Sequence, residues 1–152
     1  MTDPISFTST SPRYKLPFLF SGQSQKEFYV NQAHAVLDAL LHPVVEGLAD
    51  QPPANPIEGT CWIIGTNPTG IWQGQAGKLA ACQAGSWIYV TPRDGMRVFD
   101  RAAGQDAWFQ AGWHRAQTVT LPTGGSGVDA QARTAIGQLV AALVSAGILS
   151  NT

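Results

Sequence analysis

The chain is expected to fold as an α+β domain: an N-terminal arm and one helix packed on a small antiparallel β meander, with a second helix after a glycine-rich linker. Three observations lead there. Apolar residues recur at helical spacing in two stretches, near residues 24–41 and 129–149. Between them, from Gly59 to about Leu121, the pattern changes to short β-type runs divided by turn signals. The composition agrees, because 16 of the 152 residues are Gly, 10 are Pro and only 12% are charged, about half the usual globular share.

Residues 1–15 are rich in Ser, Thr and Pro and read as an extended arm. Residues 16–121 are expected to form the α+β domain. It opens with the apolar run Leu16-Pro17-Phe18-Leu19-Phe20, which ends at Ser21-Gly22. Ser24-Gln25-Lys26-Glu27 has the form of a capping box, in which a Ser hydroxyl takes an orphan amide and the Glu reaches back. Val30, Ala33, Leu37, Leu40, Leu41 and Val44 follow at helical steps, predicting a helix over about 24–41 that Pro43 ends.

Val44–Leu48 is a candidate first strand, followed by the stiff loop Pro52-Pro53-Ala54-Asn55-Pro56. The β runs are Thr60–Ile64, Lys78–Gln83, Ser86–Thr91, Arg97–Asp100, Ala107–Gln110 and a weaker Thr118–Leu121. Gln83-Ala84-Gly85-Ser86-Trp87 and Gln110-Ala111-Gly112-Trp113 echo one another as strand, tight turn and Trp, and read as two related hairpins. Residues 122–128 form a flexible linker. Residues 129–152 hold the second helix, a candidate oligomerisation element. Its apolar side comprises Ile136, Leu139, Val140, Leu143, Val144 and Ile148. A helix of about 20 residues with so little charge is unstable alone in water. It must cover that side with its own domain or with copies of itself, and the intervening linker favours copies.

Several function classes fall away. The net charge is -1 and no basic patch is present, so nucleic acid is not an expected partner. No apolar run is long enough to span a membrane. The first residues lack the charged and apolar regions of a signal peptide, so synthesis in the cytoplasm is expected. His34 and His42 lie eight residues apart and make no metal pair; His114 stands alone. No nucleophile elbow, phosphate loop or distinctive carboxylate pair appears. The expectation is therefore no enzyme, no catalytic residue, no metal and no cofactor. Cys61 and Cys82 form no CxxC pair and read as buried free thiols, with a disulfide between neighbouring strands as the alternative.

Aromatic residues carry the remaining binding potential. Trp72, Trp113 and Tyr89 are candidate glycan contacts, because an exposed ring can stack on the apolar face of a sugar. The competing reading is that such rings supply core bulk. Trp72, beside Thr69-Gly70 and Gln73-Gly74, is the one expected to be partly exposed.

The block Leu16-Pro17, Gly22-Gln23, Gln25-Lys26-Glu27, Val30-Asn31 and Leu37-Asp38-Ala39-Leu40 resembles the signature of an uncharacterised domain family. The likeness continues through Pro52-Pro53, Glu58-Gly59, Trp62, Trp72, Gly85-Ser86-Trp87 and Pro92-Arg93-Asp94-Gly95, covering about residues 12–115. Gly22, Gln23, Gln25, Lys26, Glu27 and Asn31 are its signature residues here. Tyr14-Lys15, Cys61 and Cys82 depart from its usual pattern. The family occurs in alphaproteobacterial prophages and gene transfer agents, in head spikes and tail fibres. The resemblance implies a structural virion component, most simply a head-spike base or connector subunit that anchors a fibre and supports attachment to a recipient cell. The alternative is a tail-fibre or receptor-binding module that itself binds capsular polysaccharide. The implied partners are other particle proteins, further copies of the chain and cell-surface polysaccharide. The implied location is the particle surface.

Overall fold

The computed structural model describes residues 9–22, 24, 26–121, 123–124 and 129–150. It holds two compact units, residues 1–92 and 93–152. The division falls inside the segment expected to be one α+β domain. The α+β class itself holds: among the described residues, two α-helices accompany eight short strands in two small sheets.

The first unit begins with a folded-back segment. Thr10 bridges Pro17 in antiparallel fashion, and Ser11 N donates to Leu16 O at 2.9 Å. From residue 9 onward, the expected arm is therefore tied down. It lies along α1 (Lys26–Leu40). The buried stripe of α1 is not the apolar one that periodicity picks out. Ala35, Asp38 and Ala39 are buried, whereas Leu37 and Leu41 are exposed. The reason is hydrogen bonding. The folded-back segment presents main-chain amides to the helix, and only a polar stripe can satisfy them. Asp38, 2% exposed, accepts from Ser11 Oγ (2.5 Å), Arg13 N (3.0 Å) and Tyr14 N (2.6 Å). The Asn31 amide accepts from Leu19 N and donates to Leu19 O. His34 Nδ1 donates to Pro17 O at 2.8 Å.

The C-terminal end of α1 is closed from outside the helix. The Arg13 guanidinium donates to the carbonyls of Asp38 and Ala39, which the last turn leaves unpaired, and to that of His42 beyond it. At the start, the capping box takes another form. Ser24 has a left-handed backbone (φ 57) and lies before the helix, and Glu27 Oε1 accepts from Gly22 N at 3.1 Å instead.

The expected strand over Val44–Leu48 is two short pieces, β1 (Val44–Val45) and β2 (Leu48–Ala49), separated by Glu46-Gly47. β3 (Cys61–Ile64), β4 (Leu79–Gln83) and β5 (Ser86–Val90) follow. The sheet order is β2-β3-β4-β5; β2 runs parallel to β3 and the remaining pairs are antiparallel. The register assigns the two faces, because side chains alternate. Cys61, Ile63, Leu79, Ala81, Gln83, Ser86 and Ile88 share one face; Trp62, Ile64, Ala80, Cys82, Trp87 and Tyr89 share the other. The two cysteines thus point to opposite sides of the sheet. Both are buried free thiols. Burial pushes the Cys61 thiol up to about 12, and burial also raises that of Cys82, with the Glu58 charge adding to it.

The second unit contains an antiparallel meander of β6 (Arg97–Asp100), β7 (Gln105–Phe109) and β8 (Trp113–Arg115). Thr118–Leu121 is not a strand. α2 (Ala130–Ser145) starts at Asp129, whose carboxylate accepts from Ala132 N at 2.9 Å. It ends in a left-handed Gly147 (φ 71), with Gly147 N donating to Val144 O and Ile148 N to Leu143 O. Gly147 O in turn accepts from Asp106 N at 2.7 Å, and Leu149 is buried. The end of α2 is therefore fastened to its own unit. Of the expected linker, residues 122 and 125–128 lie outside the described residues.

Candidate functional site

The three aromatics expected to meet a glycan fare differently. Trp72 does not reach the surface. It is 0% exposed, at the centre of a cluster with Ile64, Ala80, Trp62 and Trp87. The 3₁₀ turn Gly70–Trp72 folds it onto the sheet, where it meets Trp87 edge to face at 5.1 Å. A small sheet rich in Ala needs that bulk, so the expectation of exposure is corrected. Tyr89 is half-buried on the same face, and its hydroxyl donates to Ile71 O at 2.9 Å. Trp113, in the second unit, is half-buried and packs edge to face on Phe109 at 5.4 Å. The buried Trp72 is thus not available as a glycan contact.

The candidate interface residues of α2 also divide. Val140 and Val144 line a hollow of about 270 Å³ together with Val119, Leu121 and Leu149 of the same unit. Leu143 is half-buried. Ile136, Leu139 and Ile148 remain exposed, Leu139 at 61%. No residue of α2 is fully buried.

A different feature has the shape of a binding site. On the other face of the first unit's sheet, α1 and the β4–β5 hairpin enclose an open groove of about 920 Å³. Its floor includes Ala35 and Ile88. Phe28 and Tyr29 stand at its edge, 70% and 73% exposed, with their rings edge to face at 5.9 Å. Polar groups come from Glu27, Asn31 and Gln32 on the helix and from Gln83 and Ser86 on the hairpin. Glu27 Oε2 is buried without a hydrogen-bond partner.

Sequence reasoning missed this groove. The available signal was the adjacent pair Phe28-Tyr29, which falls outside the helix's apolar periodicity and so is not needed for packing. Among the signature residues, Gly22, Glu27 and Asn31 have structural duties: Glu27 holds Gly22, and Asn31 holds Leu19. Glu27 and Asn31 also line the groove. Lys26 is exposed at the first residue of α1. Gln23 and Gln25 lie outside the described residues.

Among the described residues no group of three or more His, Cys, Asp or Glu side chains is arranged to hold a metal. No described helix is long and apolar enough to cross a membrane. His34 and His114 each bond to a backbone carbonyl, Pro17 O and Gln110 O.

Residues 30–114, more than half of the chain, match the family of proteins of unknown function DUF2793, and the chain belongs to that family. The match runs from α1 through β8 to His114 and stops before α2. No curated protein matches the chain.

Proposed function

We propose that this protein is a structural component of a phage-like particle, a head-spike base or connector subunit that works by binding and not by catalysis. Its partners are then other particle proteins, further copies of itself and the recipient cell surface, to which it supports attachment. The resemblance of the Leu16–Asn31 block to prophage and gene transfer agent surface proteins supports the setting. The observation that carries the mechanical role is α2 with the turn that ends it, which leave Ile136, Leu139 and Ile148 exposed although the helix end is anchored by Asp106 and Leu149. An anchored helix with an apolar outer stripe is suited to pack on a copy of itself or on a neighbouring particle protein. Repeated copies then multiply weak contacts into avidity.

The test is the solution mass of the intact chain, by light scattering after size exclusion, beside that of Leu139→Lys. A defined oligomer that falls to monomer in the variant supports the reading. A wild-type chain that stays monomeric at high concentration removes self-association and leaves only a partner-docked connector.

A second reading is favoured by the groove: a receptor-binding module that itself takes polysaccharide. The two are compatible in one chain, since α2 and the groove belong to different units.

A further inference from the structure

We propose that the groove between α1 and the β4–β5 hairpin is a saccharide site, selective for neutral over acidic sugars. This rests on the cell-attachment part of the proposed function and names a site and a ligand class for it.

The chemistry of the walls carries the argument. Phe28 and Tyr29 present exposed rings, and a ring face suits the C–H face of a pyranose, which is apolar while its rim is polar. Around them stand a carboxylate (Glu27), the carboxamides of Gln32 and Gln83 and the hydroxyl of Ser86. A planar amide offers a donor and an acceptor side by side, and a carboxylate offers two acceptors, to vicinal hydroxyls. Apolar and polar groups line one open groove, as in sites where a few polar groups orient a ligand held by apolar contact.

Glu27 narrows the choice. One of its oxygens accepts from Gly22 N, while the other is buried and unpaired. The carboxylate is thereby held in place on the groove wall. An acidic sugar brings a second negative charge beside it, and among the described residues no Lys or Arg lines the groove to offset that charge. The site therefore favours neutral hexose or N-acetylhexosamine chains and disfavours uronic acids and sialic acid.

The experiment uses the full chain on an array of neutral oligosaccharides (glucans, mannans, galactans and chitin fragments) beside alginate, hyaluronan and polysialic acid fragments. Hits are measured by calorimetry. The expected result is binding of at least one neutral class, with at least tenfold loss in Tyr29→Ala and Phe28→Ala. Both side chains are largely exposed, so thermal midpoints should stay near wild type and show that folding is intact. Glu27→Gln should weaken neutral binding less than it relieves the exclusion of acidic chains. Absence of neutral binding at millimolar ligand, equal binding of acidic chains, or full retention in the Phe28/Tyr29 double variant would overturn the proposal. So would capture of an apolar peptide by the groove with no sugar competing. Particle membership is scored separately by recovery of the chain in gradient-purified particles. A chain found in particles that binds no sugar sinks this inference alone; one that binds neutral sugar but is absent from particles sinks only the particle reading.

Discussion

The carboxylate of Glu58 accepts the backbone amide of Ala84 at 2.5 Å, holding the turn of the β4–β5 hairpin from 26 residues away. Asp94 does the same for Ala111 at 3.0 Å, from 17 residues away. Ala84 and Ala111 both have left-handed backbones (φ 50 and 55), which an L-residue adopts at a cost. In each case the amide turned outward by that conformation meets an acid. The likeness extends further. Gly59 N donates to Cys82 O and Gly95 N to Phe109 O, both at 2.9 Å; Cys82 N donates to Thr60 O and Phe109 N to Met96 O, again at 2.9 Å. Two units of the chain thus carry one pattern: an acid-glycine turn, three strands and a capped Ala-Gly turn. The first copy carries the additional loop that brings in Trp72.

Removal of either cap should cost a similar, modest amount. Glu58→Ala and Asp94→Ala are each expected to lower stability by about 1 kcal/mol, since the acids are exposed and the bonds partly screened. Urea unfolding of the two variants, with unchanged native circular dichroism, checks this.

Asp38 is far more exacting. Asp38→Ala leaves the Ser11 hydroxyl and the amides of Arg13 and Tyr14 without their acceptor in a buried place, an expected loss of about 3 kcal/mol. Asp38→Asn keeps one acceptor oxygen and should lose less. Denaturant midpoints of the two variants test the order.

The buried thiols predict a pH dependence. The ordinary Cys value is 9.0, and burial holds Cys61 near 12 in the folded chain. The unfolded chain therefore releases this proton first. Stability from Cys61 is complete below pH 9 and is lost as pH rises toward 12, with a slope of at most about 1.4 kcal/mol per pH unit. Neither thiol should react with a thiol reagent at pH 8 in the native chain, and both should react in urea. Rapid native labelling of Cys61 would contradict the burial.

Trp72→Ala should remove about 3–5 kcal/mol, as expected for a large buried aromatic. Any loss of ligand binding in that variant would then reflect unfolding. Thermal unfolding followed alongside binding separates the two.

Much of the fold was legible. Both helices, the change to β runs after Gly59, and most strands follow from periodicity and turn residues, and Arg97–Asp100 matches its predicted limits. The buried side of α1 was not legible. A stripe of Asn31, Ala35, Asp38 and Ala39 becomes an interior face only when Ser11, Arg13 and Tyr14 arrive to hydrogen-bond it, and that meeting spans more than twenty residues of sequence. For the same reason the groove was hidden: Phe28 and Tyr29 gain a site only once Gln83 and Ser86 stand opposite. β8 was implied by the hairpin at Ala111-Gly112 but had no legible limits, because three residues are too few to show alternation. Trp72 was misplaced because its flanking glycines mark a surface turn, while the ring itself turns inward.

The most direct test of the particle reading is fractionation. Phage-like particles from the source culture are banded on a density gradient, and the banded fraction is analysed by quantitative mass spectrometry. This chain is expected in the particle band, at a fixed ratio to the major capsid protein that survives a salt wash. A chain that remains wholly in the soluble lysate, with intact particles banding free of it, would contradict the account.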